Sequence, residues 1–160
     1  MYLERVVEMK IAIGCDHGGF QLKEAIIKHL EDNNFEIEDV GSYDCKSVDY
    51  PAYAVKVGNR VSSGSCDLGI LCCGTGIGMS IAANKINGVR AAVVSDCFSA
   101  SATREHNDTN VLCLGQRVIG EGLALLIVDT WLNASFQGGR HQERINQVTQ
   151  VENGEFFVRD

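Results

Sequence analysis

Residues 67–86, Asp67-Leu68-Gly69-Ile70-Leu71-Cys72-Cys73-Gly74-Thr75-Gly76-Ile77-Gly78-Met79-Ser80-Ile81-Ala82-Ala83-Asn84-Lys85-Ile86, decide the fold. A short apolar run, 67–73, ends on a glycine-rich turn. A helical pattern follows at once, from Ile77 to Ile86. A buried strand that feeds a helix through a tight turn is half of a parallel β-α-β unit. The same alternation recurs on both sides. Toward the N-terminus, Lys10–Gly14 reads as a strand, Phe20–Leu30 as a helix with Leu22, Ile26, Ile27 and Leu30 on one face, and Glu36–Val40 as a strand. Pro51 opens a helix through Val61, with Asp49 placed to cap it. Toward the C-terminus come a strand at 89–94, a helix at 98–105, a strand at 111–114 and a helix at 119–132 with Leu123, Ile127 and Trp131 inward. A last helix runs from about Arg140 to Val148. The expected fold class is α/β: one Rossmann-like, three-layer domain with a central parallel sheet of about five strands.

The chain has 160 residues, enough for one domain with a substantial core. Its net charge of −7 argues against a general affinity for nucleic acid, though not against a local anion site. The apolar runs are far too short to span a membrane. Charges at Glu4, Arg5 and Glu8 fall where a signal peptide needs its apolar core, so a cytoplasmic location is expected. The seven cysteines are odd in number and lack the spacing of a zinc site, which fits reduced thiols.

In an open α/β sheet ligands bind beyond the carboxyl ends of the strands. The segments Cys15–Gly19, Gly74–Gly78, Ser95–Asp96 and Gly115–Arg117 are therefore expected to line one crevice. Cys73 ends a strand, and the N–H groups of the following turn, with the helix N-terminus, can form an anion nest. The same field raises the thiolate fraction of a nearby thiol. A base beside donors for an enediolate oxygen is what proton removal next to a carbonyl requires. A buried cysteine before an ordinary tight turn fits the pattern equally. Cys72 faces the opposite side of the strand and serves as its control.

Asp16-His17 is either a helix cap or a polar pair facing a sugar phosphate. Gly14, Gly18 and Gly19, with Asp39 about 20 residues on, have the wrong spacing for a dinucleotide fingerprint. His106-Asn107 lies between a helix and a strand, and His106 is either a helix C-terminal partner or a proton donor near neutral pH. Arg140 and Arg144 share a helix face, as a phosphate clamp or as a solvated, carboxylate-paired surface. His29 and His141 read as surface residues.

Six stretches together resemble the type B ribose-5-phosphate isomerases, a family that also includes allose-6-phosphate and galactose-6-phosphate isomerases. They are GCDHGGF (14–20), DYPAYA (49–54), CGTGIGMSIAANK (73–85), REHNDTNVL (104–112), LGQRVIG (114–120) and FQGGRHQER (136–144). The likeness runs from Met9 to about Glu152. It divides the chain into an extension (1–8), an isomerase domain (9–152) and a tail (153–160).

The resemblance implies roles. Cys73 would move the proton between carbons 1 and 2. Thr75 and the amides of Gly74, Gly76 and Gly78 would stabilise the enediolate. His106 would open the furanose ring, with Asp16 and Asn107 aligning the substrate and Tyr50 in a loop near the sugar. His17, Arg117, Arg140 and Arg144 would bind phosphate. Relatives that lack the cysteine use a glutamate on the following helix; Met79 and Ser80 stand there in this chain.

The resemblance also implies no cofactor and no metal. It implies a homodimer or homotetramer with its sites at the subunit interface, and Arg117 reaching across that interface. The expected activity is interconversion of ribose 5-phosphate and ribulose 5-phosphate. The alternatives are the same chemistry on allose 6-phosphate or another hexose phosphate, and a non-catalytic nucleotide or sugar-phosphate binding module. Galactose-6-phosphate isomerases work as two different subunits, which the full set of candidate residues here makes a poorer fit.

Overall fold

The computed structural model describes residues 9–158. The extension expected at 1–8 and the last two residues of the tail lie outside the described residues. Strands and helices alternate as β1 (Lys10–Cys15), α1 (Phe20–Asp32), β2 (Glu36–Asp39), α2 (Tyr50–Ser62), β3 (Leu68–Cys73), α3 (Ile77–Ala83), β4 (Ala91–Val93), α4 (Cys97–Asn107), β5 (Val111–Gly115), α5 (Glu121–Asn133) and α6 (Arg140–Glu152). The five strands form one parallel sheet in the order β2-β1-β3-β5-β4. The expected α/β class and strand number hold.

The sheet is covered on both faces, so its central strands are apolar throughout rather than alternating. On one face Ile11, Ile13, Ile70, Cys72, Leu112 and Leu114 pack against Leu22, Ile26 and Leu30 of α1, Ala100 of α4 and Ile127, Val128 and Trp131 of α5. On the other, Ala12, Leu71, Cys73, Val111 and Cys113 meet Ala54, Val57 and Val61 of α2 and Met79 and Ala83 of α3. Cys72 and Cys73 thus enter opposite layers, as strand alternation requires.

Several elements differ from the local pattern. α4 runs two residues further than expected and includes His106 and Asn107 in its last turn. α3 ends at Ala83, and Asn84 takes over there: its side chain donates to the Ala91 carbonyl (2.9 Å) and accepts from the Ala91 N–H (2.8 Å). The amide thereby imitates a strand partner along the free edge of β4. Leu123, expected inward on α5, is exposed, and the buried stripe is Ala124, Ile127, Val128 and Trp131. Asp49 occupies the N-cap position of α2 without a side-chain cap bond. His29 is part-buried and bonds Asp129 at 2.7 Å, joining α1 to α5. Among the described residues no helix is long and apolar enough to cross a membrane.

Candidate active site

The order in which strands are added reverses between β1 and β3, because β1 connects outward to β2 on one side and neighbours β3 on the other. The loops after these strands meet. A Cβ built on Gly18 would lie 3.1 Å from the Gly74 nitrogen. Asp16 is buried, and its carboxylate accepts from the Gly18 N–H at 2.9 Å, so it pins its own loop rather than capping α1. The loop after β5 joins them: Gln116 N–H donates to the Cys73 carbonyl (2.9 Å) and Arg117 N–H to the Gly74 carbonyl (3.0 Å). Gly115 permits this, since a Cβ there would fall 2.7 Å from the Thr75 carbonyl carbon.

Cys73 sits at the centre of this convergence. Its Sγ accepts the Gly76 N–H at 3.0 Å. That turn needs Gly76 in the left-handed region, at φ 78°. α3 has only seven residues, so the Gly76 amide rather than a long helix dipole acts on the sulfur. Cys73 keeps 6 % exposure while Cys72 has none. Burial pushes the Cys72 thiol far above the ordinary cysteine range, which holds it protonated. Thr75 is exposed, and its hydroxyl accepts from the Ile77 N–H at 3.3 Å.

Three more expected residues reach this place. The Tyr50 ring packs over Gly78, where an added Cβ would lie 2.9 Å from Cζ. His17 Nδ1 accepts the Val48 N–H at 3.3 Å and ties the Tyr50 loop to the first loop. The Arg117 guanidinium lies against Gly74, with Nη1 3.1 Å from the position of an added Cβ. Arg117 therefore lies against the loop that follows Cys73 in its own chain. Ser95 and Asp96 differ too: the Asp96 carboxylate accepts from the Ser99 N–H at 2.7 Å and caps α4.

The dinucleotide reading of the first loop ends at Asp39. Lys23, fully buried, donates to both Asp39 oxygens (2.8 and 2.7 Å) and to the Ser42 carbonyl (2.8 Å). Burial opposes the lysine charge, yet the Asp39 carboxylate outweighs it and raises Lys23 above the usual lysine range. Asp39 is thus spent on holding the start of the Tyr50 loop.

The remaining candidates gather elsewhere. A groove of about 930 Å³ is lined by Lys85, Arg90, His106, Asn107, His141 and Arg144, among others, and by none of the Cys73 cluster. Its α4 wall is firmly held. Asp108 takes a left-handed conformation (φ 45°), and its two oxygens accept from Arg104 Nη1 (2.9 Å) and Arg90 Nη2 (3.2 Å). Arg90 Nε also donates to the Asn107 and Asp108 carbonyls (3.1 and 3.0 Å). The α6 wall presents Arg144, and Arg140 opens the same helix. The arginine ion pairs among the described residues are made by Arg60, Arg90 and Arg104, leaving Arg117, Arg140 and Arg144 without one.

His141 corrects the sequence reading. It is buried, not a surface residue, and its ring stacks on His106 with centroids 4.4 Å apart and planes 12° from parallel. The available signal was Ile145, four residues on: an apolar residue on this polar helix marks the inward face that His141 shares. Among the described residues no three His, Cys, Asp or Glu side chains group as a metal site needs.

Known proteins share this fold. A family-wide pattern described as Ribose/Galactose Isomerase matches residues 11–148. Ribose-5-phosphate isomerase B of Escherichia coli is 52% identical over 143 residues, covering 89% of this chain and 96% of that protein. The structure of Clostridium thermocellum ribose-5-phosphate isomerase B superposes with a TM-score of 0.91 at 53% identity, covering 91% of this chain and 99% of that one. The Mycoplasma genitalium ribose-5-phosphate isomerase B, solved with bound ribulose-5-phosphate, has a TM-score of 0.87 at 43% identity, with 91% and 97% covered. Matched over nearly its whole length by both sequence and fold, the chain belongs to the ribose/galactose isomerase family.

Proposed function

We propose that this chain is an aldose–ketose isomerase that interconverts D-ribose 5-phosphate and D-ribulose 5-phosphate through an enediolate. The observation that carries the reading is the Cys73 thiol, its sulfur against a backbone N–H in a glycine-rich loop at the sheet's switch point. Relatives named for the same reaction support it.

The chemistry follows from the groups present. His106 protonates the ring oxygen as the anomeric hydroxyl loses its proton to solvent water, and the furanose opens to the aldehyde. The Cys73 thiolate then removes the proton on carbon 2, and the electron pair moves through the new C1–C2 double bond to the carbonyl oxygen. Thr75 and the amides of Gly74, Gly76 and Gly78 take up the oxyanion. The hydroxyl proton moves from O2 to O1, and the thiol returns a proton to carbon 1 to give the ketose. Asp16, Tyr50 and Asn107 align the sugar. His17, Arg117, Arg140 and Arg144 hold the phosphate, against a chain whose net charge of −7 repels it.

The working unit in this reading is a homodimer or homotetramer in which one subunit's groove closes on another's Cys73 loop. Two features support that. The catalytic thiol and His106 lie in separate clusters of the single chain. Apolar side chains are also exposed near the carboxyl end of the sheet, with Ile77 and Ile81 on α3 and Phe98, 82 % exposed, on α4. The protein then acts in the cytoplasm, in the non-oxidative pentose phosphate pathway.

The purified protein is expected to convert ribose 5-phosphate to ribulose 5-phosphate with a higher kcat/KM than it shows for allose 6-phosphate. The measurement is ketose formation on both substrates. A preference for allose 6-phosphate would move the assignment to a hexose phosphate. Binding of both without turnover would make the chain a sugar-phosphate binding module.

A further inference from the structure

His106 is held by its backbone and by its ring, and the two restraints come from different parts of the chain. The backbone restraint is the turn at 107–108, fixed by Arg90 and Arg104. It sets where the last turn of α4 ends, but it leaves the imidazole free to rotate about its side-chain bonds. The ring restraint is His141. Its imidazole lies 4.4 Å below that of His106 and nearly parallel to it, at the height of an offset aromatic stack.

α6 is built to deliver that ring. The Gly138-Gly139 turn precedes it, and the Gln137 N–H donates to the Glu105 carbonyl (3.0 Å), the residue before His106. Gln137 Nε2 reaches the Glu105 carboxylate as well, at 3.1 Å. The start of α6 is therefore tied to the last turn of α4 beside the stack. His141 and Ile145 are the two buried residues of α6, so His141 is fixed on the packing face rather than swinging at a surface.

We propose that His141 is a positioning residue for the ring-opening step, its imidazole serving as a platform that sets the orientation of the His106 ring. This rests on the reading of His106 as the ring-opening acid. The electrostatics agree with a platform role. Burial first, then the neighbouring His106, Arg140 and Arg144, push His141 below the ordinary histidine range. His141 is therefore a neutral ring at neutral pH, and it can lie beneath a protonated His106 without repelling it. A second cation in the stack would oppose protonation of the residue that must give a proton away.

The test compares His141→Ala, His141→Phe and His106→Asn in two reactions. One is turnover of ribose 5-phosphate, which requires ring opening. The other is solvent hydrogen exchange at carbon 1 of ribulose 5-phosphate, which is acyclic and does not. His106→Asn is expected to slow the first strongly and the second little, which checks the reading beneath the proposal. His141→Ala is expected to lower kcat for ribose 5-phosphate by up to roughly 100-fold, the cost of a misplaced catalytic group. Exchange at carbon 1 should stay within a few-fold, which also shows that the variant is folded. His141→Phe restores a stacked ring and is expected to recover most of the lost kcat.

The proposal is overturned if His106→Asn behaves as expected while His141→Ala matches the unaltered protein. It is equally overturned if His141→Ala raises KM for both substrates and His141→Phe fails to rescue, since His141 then contacts the phosphate. If His106→Asn itself spares ribose 5-phosphate turnover, the ring-opening reading fails. A separate readout then remains: the His106 Cε1 proton, shielded by the stacked ring, should move downfield in His141→Ala and return in His141→Phe. Identical proton shifts in the unaltered protein and the two His141 variants would refute the stack as a restraint in solution.

Discussion

Replacing Cys73 by alanine is expected to remove isomerisation, while the same change at Cys72 leaves most of it. The two thiols are sequence neighbours with opposite surroundings. Cys72 lies in the α1/α5 layer without exposure, and burial holds it protonated. Cys73 opens toward the loop crevice with the Gly76 N–H on its sulfur. Loss of a catalytic acid or base costs about 10²–10⁴-fold. Both substitutions remove one small buried atom, so a packing cost should be similar at the two sites. Steady-state rates with a melting curve for each variant separate the effects. Equal loss at both positions would show damage to β3 rather than loss of a base. Alkylation of Cys73 by a thiol reagent should also slow when substrate is present.

Arg144→Ala is expected to lower kcat/KM for ribose 5-phosphate sharply, and to leave the much poorer reaction of unphosphorylated ribose nearly unchanged. Truncating one side of a desolvated charge pair costs about 2–5 kcal/mol, or roughly 30- to several-thousand-fold. Arg144 has no carboxylate partner among the described residues, so its charge is available to a phosphate dianion. It lines the His106 groove, whereas Arg117 lies beside Gly74 in the Cys73 cluster. That separation predicts an asymmetric complementation. Mixing Cys73→Ala chains with Arg144→Ala chains should restore activity, because one site of the heterodimer keeps both groups. Mixing Cys73→Ala with Arg117→Ala chains should not, since every site then lacks one of them. Rescue by the Arg117 mixture alone would place the phosphate groups the other way round.

The residues that make each strand and helix are legible one element at a time. The 67–86 stretch specifies β3, its turn and α3 through an apolar run, the closely spaced glycines 74, 76 and 78, and a change of period. What local pattern does not carry is the order of strands. β5 inserts between β3 and β4, and nothing in 89–115 distinguishes a central strand from an edge strand, since the apolar run at 89–94 is longer than the one at 111–114. The edge role of Asn84 is equally silent, because a polar residue after a helix usually signals only a cap. In the sequence His106 falls past the end of the helical pattern, because that pattern fades in a polar last turn. The structure extends the helix through the Arg104–Asp108 pair, a contact four residues apart that periodicity of apolar residues does not record.

The site was legible in halves. Asp16, Cys73, Thr75 and Arg117 follow strand ends, and the switch-point rule brings them together without further information. His106 and Asn107 lie in the last turn of α4, and Arg140 and Arg144 in the first turns of α6. Their meeting depends on how α6 lies on α4, which is tertiary packing. His141 was hidden for the same reason: one polar residue beside arginines on a polar helix reads as solvent-facing until the helix it covers is known.

In the proposed reaction Cys73 moves a proton between carbons 1 and 2 of a pentose phosphate. Conversion of ribulose 5-phosphate in heavy water, followed by mass and NMR analysis of the ribose 5-phosphate formed, tests it most directly. The account predicts deuterium at carbon 2 of the aldose, delivered from a thiol that exchanges with solvent, and no such product from Cys73→Ala. Product without deuterium at carbon 2, or undiminished labelled product from Cys73→Ala, would contradict it.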